Sequence, residues 1–188
     1  MSKPHHTARD RKEALVREAK GLGFDAVGVS AAGFLEAEAD RLEEWLRRGY
    51  HGEMGYLERN FDKRLDPRLL VPGAKTVVSL LFNYHTDQQP SDPDAPRVAS
   101  YAHGQDYHYV IKWKLKELMK WAQREWGAIE GRVFVDSAPV HERAWAEKSG
   151  LGWVGKNSLL LNRSMGSFFF IAELISDGEP EPDAPTAD

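Results

Sequence analysis

The sequence predicts an α/β (α+β) domain in which a mixed β-sheet is covered by helices. Three observations lead there. Runs of strand type, Phe24 to Val29, Thr76 to Phe82 and Val133 to Val135, are interleaved with stretches whose apolar residues recur at helical spacing. The last two strand-type segments, Ser158 to Asn162 and Ser167 to Ile175, are separated only by a short loop ending in Gly166, which reads as a hairpin and makes the sheet mixed rather than purely parallel. A length of 188 residues with a 41% apolar fraction and six Trp suffices for one domain with a substantial core.

The elements follow in order. Residues 1–9 are expected to form a disordered lead, with His5 and His6 in a mobile tail. From Asp10 to Leu22, the spacing of Leu15, Val16, Ala19 and Leu22 fits an amphipathic helix, and Phe24 to Val29 is the first strand. A second helix, Phe34 to Arg48, carries Leu35, Ala39, Leu42, Trp45 and Leu46 on one face and stops at Gly49. The next stretch, GYHGEMGYLERNFDKRLDPRLL, mixes glycine, aromatic and charged residues and reads as a surface segment with a short helix near Met54 to Asn60. Thr76 to Phe82 is nearly continuously apolar and should be a buried central strand. His85 to Arg97, rich in Pro and Asp, suits neither regular element.

ASYAHGQDYHYV is dense in Tyr and His. Asp106 is placed to cap a long helix, Tyr107 to Trp126, whose apolar face holds Val110, Ile111, Leu115, Leu118, Met119 and Ala122. Lys112, Lys116 and Lys120 share another face, read as solvated. His103 invites a metal-ligand reading, but Tyr101 and the backbone at Gly104 are preferred as wall contacts. The tail from residue 177 to 188 is acidic and rich in Pro, and is expected to be a linker or frayed end.

The densest stretch runs from Arg132 to Leu161. Asp136 follows the strand Val133 to Val135, and strand ends are where ligands meet side chains in α/β folds. Ser137 is expected to cap a helix opened by Pro139 and running to Ser149, with Glu142 in its first turn and Gly150 ending it. Gly152 and Gly155 flank Trp153 and Val154, and Lys156 and Asn157 then offer a cation and an amide. An Asp before a Ser-Ala-Pro turn also serves as a cap or turn residue, and glycines around a Trp also punctuate turns. The local pattern alone leaves both readings open.

Longer segments carry more information. VDSAPVHERAWAEKSGLGWVGKNSLLL followed by GSFFFIAEL, with HGEMGYLERNFDKRLDPRLLVPGAKTVVSLLFNY and ASYAHGQDYHYVIKWKL upstream, resembles the epoxyqueuosine reductases in the same order, from about Arg11 to Ser176. The resemblance implies a nitroreductase-like cobalamin-binding core over residues 10–176. It also implies reduction of epoxyqueuosine to queuosine at the tRNA wobble position, with electrons passing through cobalt from iron-sulfur clusters. It makes Asp136 the proton donor, kept protonated by an apolar wall from Val133, Val135 and Trp153. As cobalamin contacts it implies Tyr56, Arg59, Tyr101, Asp136, Gly155, Lys156, Asn157 and Ser158, and no histidine ligand to cobalt. Expected partners are tRNA bearing epoxyqueuosine and an iron-sulfur module or electron donor, for a monomer. Two other classes remain: a non-catalytic corrinoid carrier, and a flavin-dependent reductase on a related core.

Composition limits these expectations. The chain contains no cysteine, which excludes disulfides, thiolate metal sites and cysteine-ligated clusters within it. The ferredoxin-like module with which the resembled family continues is therefore expected to be absent, and the chain to be an excised domain, a fragment, or a protein fed by a partner. A net charge of -4 gives no general attraction to nucleic acid. No run approaches the roughly 18 apolar residues of a membrane span and the N-terminus lacks an apolar signal core, so a cytoplasmic protein without membrane contact is expected.

Overall fold

The computed structural model describes residues 7–88, 92, 94 and 96–186. Its centre is a four-stranded sheet of β1 (Ala26–Ala31), β2 (Thr76–Asn83), β3 (Gly131–Val135) and β6 (Phe169–Ser176), in the order β1-β2-β6-β3. Helices α1 (Ala8–Gly21) and α5 (Tyr107–Trp126) cover one face, and α2 (Glu36–Arg47), the short α3 (Tyr56–Arg59) and α4 (Phe61–Leu65), and α6 (Glu142–Lys148) lie toward the other. A separate two-stranded ribbon pairs β4 (Trp153–Val154) with β5 (Leu160–Leu161).

The α+β class expected from the sequence is the class observed, but every strand pairing is antiparallel rather than mixed. The reason lies in β6. Strands β2 and β3 both run antiparallel to it, so they are parallel to each other across a gap one strand wide, with α5 as the crossover. β6 fills that gap, so it is a central strand of the sheet. The expected hairpin of the last two strand segments does not form either. β5 turns back onto β4, and only an isolated bridge, Asn162 to Gly166, spans the short loop.

Side-chain alternation along β6 divides the core. Phe170, Ala172 and Leu174 pack with Leu115, Leu118 and Ala122 of α5, while Ile171 and Ile175 pack on the α6 side. Val77 and Leu81 of β2 follow the same α6-side parity. Between these apolar groups the α6-side face carries a polar row: Ser79 pairs with Gly28 on one side and Glu173 on the other. A methyl group at Gly28 would sit 2.5 Å from the Ser149 carbonyl oxygen, so the bare backbone of Gly28 lets α6 lie close to the sheet.

The chain ends depart from expectation. α1 begins at Ala8 because Thr7 and Asp10 form a reciprocal capping box, so the lead is shorter than residues 1–9. His5 and His6 lie outside the described residues, as do 89–91, 93 and 95 of the Pro- and Asp-rich segment. The tail is not frayed through Thr186. Asp183 accepts hydrogen bonds from Lys12 Nζ at 2.5 Å and from the Val29 amide at 3.0 Å, and Glu181 donates its amide to Ala8. Those partners satisfy backbone groups that a frayed end would leave to water. Among the described residues no helix is long and apolar enough to cross a membrane.

Candidate active site at the end of strand β3

β3 ends at Val135, and the backbone then turns sharply. Asp136 adopts φ of 57°, a left-handed conformation that a non-glycine residue holds only when its surroundings enforce it. Two bonds do so. The Tyr107 hydroxyl donates to Asp136 Oδ2 at 2.7 Å, and the Asp136 amide donates to Glu142 Oε1 at 2.7 Å. His108 Nε2 lies 3.5 Å from the same Oδ2.

Tyr107 and His108 open α5, whose cap is Asp106 as expected: Asp106 Oδ1 accepts the His108 amide at 2.9 Å. Tyr107 stacks face to face on Phe170 of β6, with centroids 3.9 Å apart. Burial, and then the bond to Asp136, raise the Tyr107 phenol above its ordinary range, so it remains a donor.

The helix predicted to open at Pro139 begins instead at Glu142, and Ser137 is not its cap. Ser137 and Val140 each donate an amide two residues back, to Val135 and Ala138, which keeps residues 137–140 in tight non-helical turns. Glu142 is in the first turn as expected, but its carboxylate reaches Asp136.

A cavity of about 770 Å³ lies before this turn. Asp136 to Val140 form one wall, Leu42 and Trp45 of α2 another, and Tyr56, Leu57, Asn60 and Arg64 the third, with His141, Glu142 and Arg143 at the start of α6. Its size is within the range of small-molecule sites. Arg64 Nε is buried there without a hydrogen-bond partner among the described residues, and burial lowers the Arg64 pKa. Burial first, then the charges of Arg143 and Arg64, lower the His141 pKa, which favours a neutral imidazole. Burial pushes the Glu142 carboxyl up to about 7. Behind it on β6, burial and then Glu142 raise the fully buried Glu173 well above the usual carboxylate range.

A second hollow of about 530 Å³ lies beside Phe82, Tyr84, Tyr101, Gly104 and Phe170, and Tyr107 forms part of its wall. Tyr107 thus joins the two: its ring faces one hollow and its hydroxyl holds the aspartate of the other.

The sequence-derived residues divide accordingly. Asp136 and Tyr56 line the larger cavity and Tyr101 the second. Arg59 is exposed and lines neither, because the break at Asn60 between α3 and α4 brings Arg64 over the Tyr56 ring instead, 5.9 Å from its centroid. Gly155, Lys156, Asn157 and Ser158 form the β4–β5 turn and line neither hollow. They are tied to the larger cavity by Arg143, which donates to the Ser158 carbonyl. Gly155 serves packing rather than open approach, since a methyl there would meet Leu161 Cδ1 at 2.7 Å.

The expected apolar enclosure of Asp136 is not what the fold provides. Val135 is buried in the α5-side core, Val133 packs on that core, and Trp153 pairs with Leu161 in the ribbon. The Asp136 side chain is 62% exposed, with the Tyr107 hydroxyl and His108 imidazole beside it.

Sequence reading missed Tyr107, Arg143, Glu142 as a ligand of the Asp136 amide, and Glu173. A signal existed for Glu173 alone, a lone acid within the apolar run Phe168 to Ile175. The others needed the fold.

A family profile described as "Epoxyqueuosine reductase QueG, DUF1730" matches residues 64–137, the segment holding Arg64, Tyr107 and Asp136. The chain is 58% identical over 180 residues to an epoxyqueuosine reductase of Leadbetterella byssophila, covering 96% of this chain and 59% of that protein. A solved epoxyqueuosine reductase with an epoxyqueuosine-modified tRNA-Tyr stem loop is similar at a TM-score of 0.84 and 30% identity, covering 97% of this chain and 49% of that one. An epoxyqueuosine reductase from Bacillus subtilis, with its catalytic aspartate loop swung out of the active site, gives 0.81 and 31%, over the same shares. A reductive dehalogenase whose structure suggests a mechanism for B12-dependent dehalogenation is alike in fold alone, with a TM-score of 0.62 at 15% identity over all of this chain and 22% of that one. The chain thus spans about three fifths of the length of the curated relative and half that of the solved reductases.

Proposed function

Because this chain belongs to the epoxyqueuosine reductase family, we propose that it forms the cobalamin-binding part of such an enzyme and carries the acid that protonates the oxygen lost from epoxyqueuosine in tRNA. The observation that carries the reading is Asp136, held in a left-handed turn by Tyr107 and Glu142 at the wall of the larger cavity.

The cavity fits a corrinoid in chemistry. Apolar walls from Leu42, Trp45, Leu57 and Val140 suit a hydrophobic ring face, and the orphaned Arg64 Nε is a donor with no acceptor among the described residues. Arg64 and Asn60 would hold an amide carbonyl or phosphate of the cofactor, and Tyr101 would line its second wall. When bound, cobalamin supplies the electrons at its cobalt centre.

The chain's own residues do the acid-base work. Asp136 gives its proton to the departing oxygen, and the Tyr107 hydroxyl holds that carboxyl in place. As Asp136 is mostly exposed in this chain, exclusion of water from it falls to the bound cofactor and substrate. The absence of cysteine means that the ligands of any iron-sulfur electron donor lie outside these 188 residues. The aspartate loop described in the Bacillus subtilis enzyme supports the role given to Asp136, and the stem-loop complex of its relative supports tRNA as substrate.

An anaerobic absorbance titration with cob(II)alamin tests this. Saturable binding is expected, weakened roughly 10- to 100-fold by Arg64→Ala, the loss of one charged hydrogen bond. Asp136→Asn should bind alike but lose reduction of an epoxyqueuosine stem loop when an iron-sulfur donor is supplied. A folded chain that shows no saturable binding overturns the reading.

A further inference from the structure

Glu142 lines the larger cavity and takes the Asp136 amide at 2.7 Å. That bond does more than link two segments. Asp136 and Ser158 are the two non-glycine residues at positive φ among those described, and such a conformation persists only where neighbours over-determine it. Asp136 is held once by its side chain, through Tyr107, and once by its main chain, through Glu142.

We infer that Glu142 is the positioning residue of the site: its carboxylate grips the Asp136 amide and so fixes the turn that presents the Asp136 carboxyl to the cavity. The inference rests on the reading of Asp136 as the reacting acid. A carboxylate accepts a hydrogen bond more strongly than the neutral acid, so the grip follows the ionisation of Glu142.

That ionisation falls near neutrality. Burial raises Glu142 to about 7 and the Asp136 charge adds to the rise, while the Asp136 amide and the guanidinium groups of Arg143 and Arg64 oppose it. The groups facing it are Asp136 from the end of β3, Tyr107 from α5, Arg64 from α4, His141 and Arg143 beside it on the chain, and Glu173 from β6. Glu173 has both carboxyl oxygens buried without a hydrogen-bond partner among the described residues, and burial and then Glu142 raise it well above the ordinary carboxylate range. Above about 7 the turn is held by a charged acceptor, and below it by a neutral one.

The test is NMR on the whole chain without cofactor, following the Asp136 amide proton and its exchange rate across pH. In the wild type the amide resonance is expected to titrate with a midpoint near 7, with greater protection on the basic side, measured as exchange relative to the base-catalysed rate of an open chain. Glu142→Gln keeps a neutral acceptor of the same shape. It should abolish that titration and speed exchange on the basic side roughly 10-fold, the loss of charge assistance. A resonance in the folded wild type that is flat through neutrality overturns the inference, and so does a neutral titration that survives Glu142→Gln. Neither result depends on cobalamin, so failure here is distinguishable from failure of the binding titration.

Discussion

Replacing Glu142 with Gln should stabilise the fold at alkaline pH while weakening the site. The ordinary carboxyl value is 4.5, and burial lifts Glu142 to about 7 in the folded chain. Between those values the native state retains a proton that the unfolded chain has lost, so stability falls as pH rises through the window and levels off above about 7. At about 1.4 kcal/mol per pH unit, the gap amounts to roughly 3 kcal/mol. Gln does not ionise and escapes this loss. Urea unfolding, followed by the fluorescence of the fully buried Trp145, measures both proteins below 4.5 and above 7. The variant-minus-wild-type difference should grow by roughly 3 kcal/mol in the variant's favour from the acid to the alkaline condition. A difference that is the same at both pH values refutes the argument that Glu142 is charged at a desolvated position. Such a gain bought by loosening a catalytic turn would be an ordinary trade between stability and activity.

Tyr107→Phe removes the hydroxyl that holds Asp136 but keeps the ring stacked on Phe170. It should lower reduction of an epoxyqueuosine stem loop roughly 10- to 100-fold, measured by product analysis with an iron-sulfur donor, with little change in thermal midpoint. Gly28→Ala places a methyl 2.5 Å from the Ser149 carbonyl and should cost about 1–3 kcal/mol in urea unfolding, because the obstacle is main chain at the C-cap of α6, which cannot swing aside as a side chain could. Asp183→Ala removes the acceptor shared by Lys12 and the Val29 amide. It should cost about 1–2 kcal/mol and make the tail after Ser176 an early target of limited proteolysis.

Local physics made much of the scaffold legible. The range Tyr107–Trp126 follows from one apolar stripe and an Asp106 cap, and the buried β2 from an uninterrupted apolar run, because both signals are complete within a few turns of chain. Asp136 and Tyr56, singled out through the quoted motifs rather than through periodicity, both line the larger cavity. Where sequence reading failed, a distant partner decided. The antiparallel order came from β6 entering the gap between β2 and β3, a choice made by pairing across long separations. Helix α6 starts late because Glu142 bonds the Asp136 amide and the intervening residues form turns. The tail is pinned by residues of α1 and β1 that no local pattern connects to it.

The sequence by itself located the long helices and the central strands, pointed to a sheet covered by helices, and set an aspartate at the end of β3. Periodicity, caps and apolar runs act over a few residues and are written in order along the chain. Only the tertiary structure decided what surrounds that aspartate. Tyr107 comes from the far end of the crossover, Arg64 from a helix broken at Asn60, and Glu173 from a strand that follows the site in sequence yet lies behind it in space. Burial, and with it the charge of Glu142, is a property of the packed molecule, since the same carboxyl in an open chain would titrate at its ordinary value.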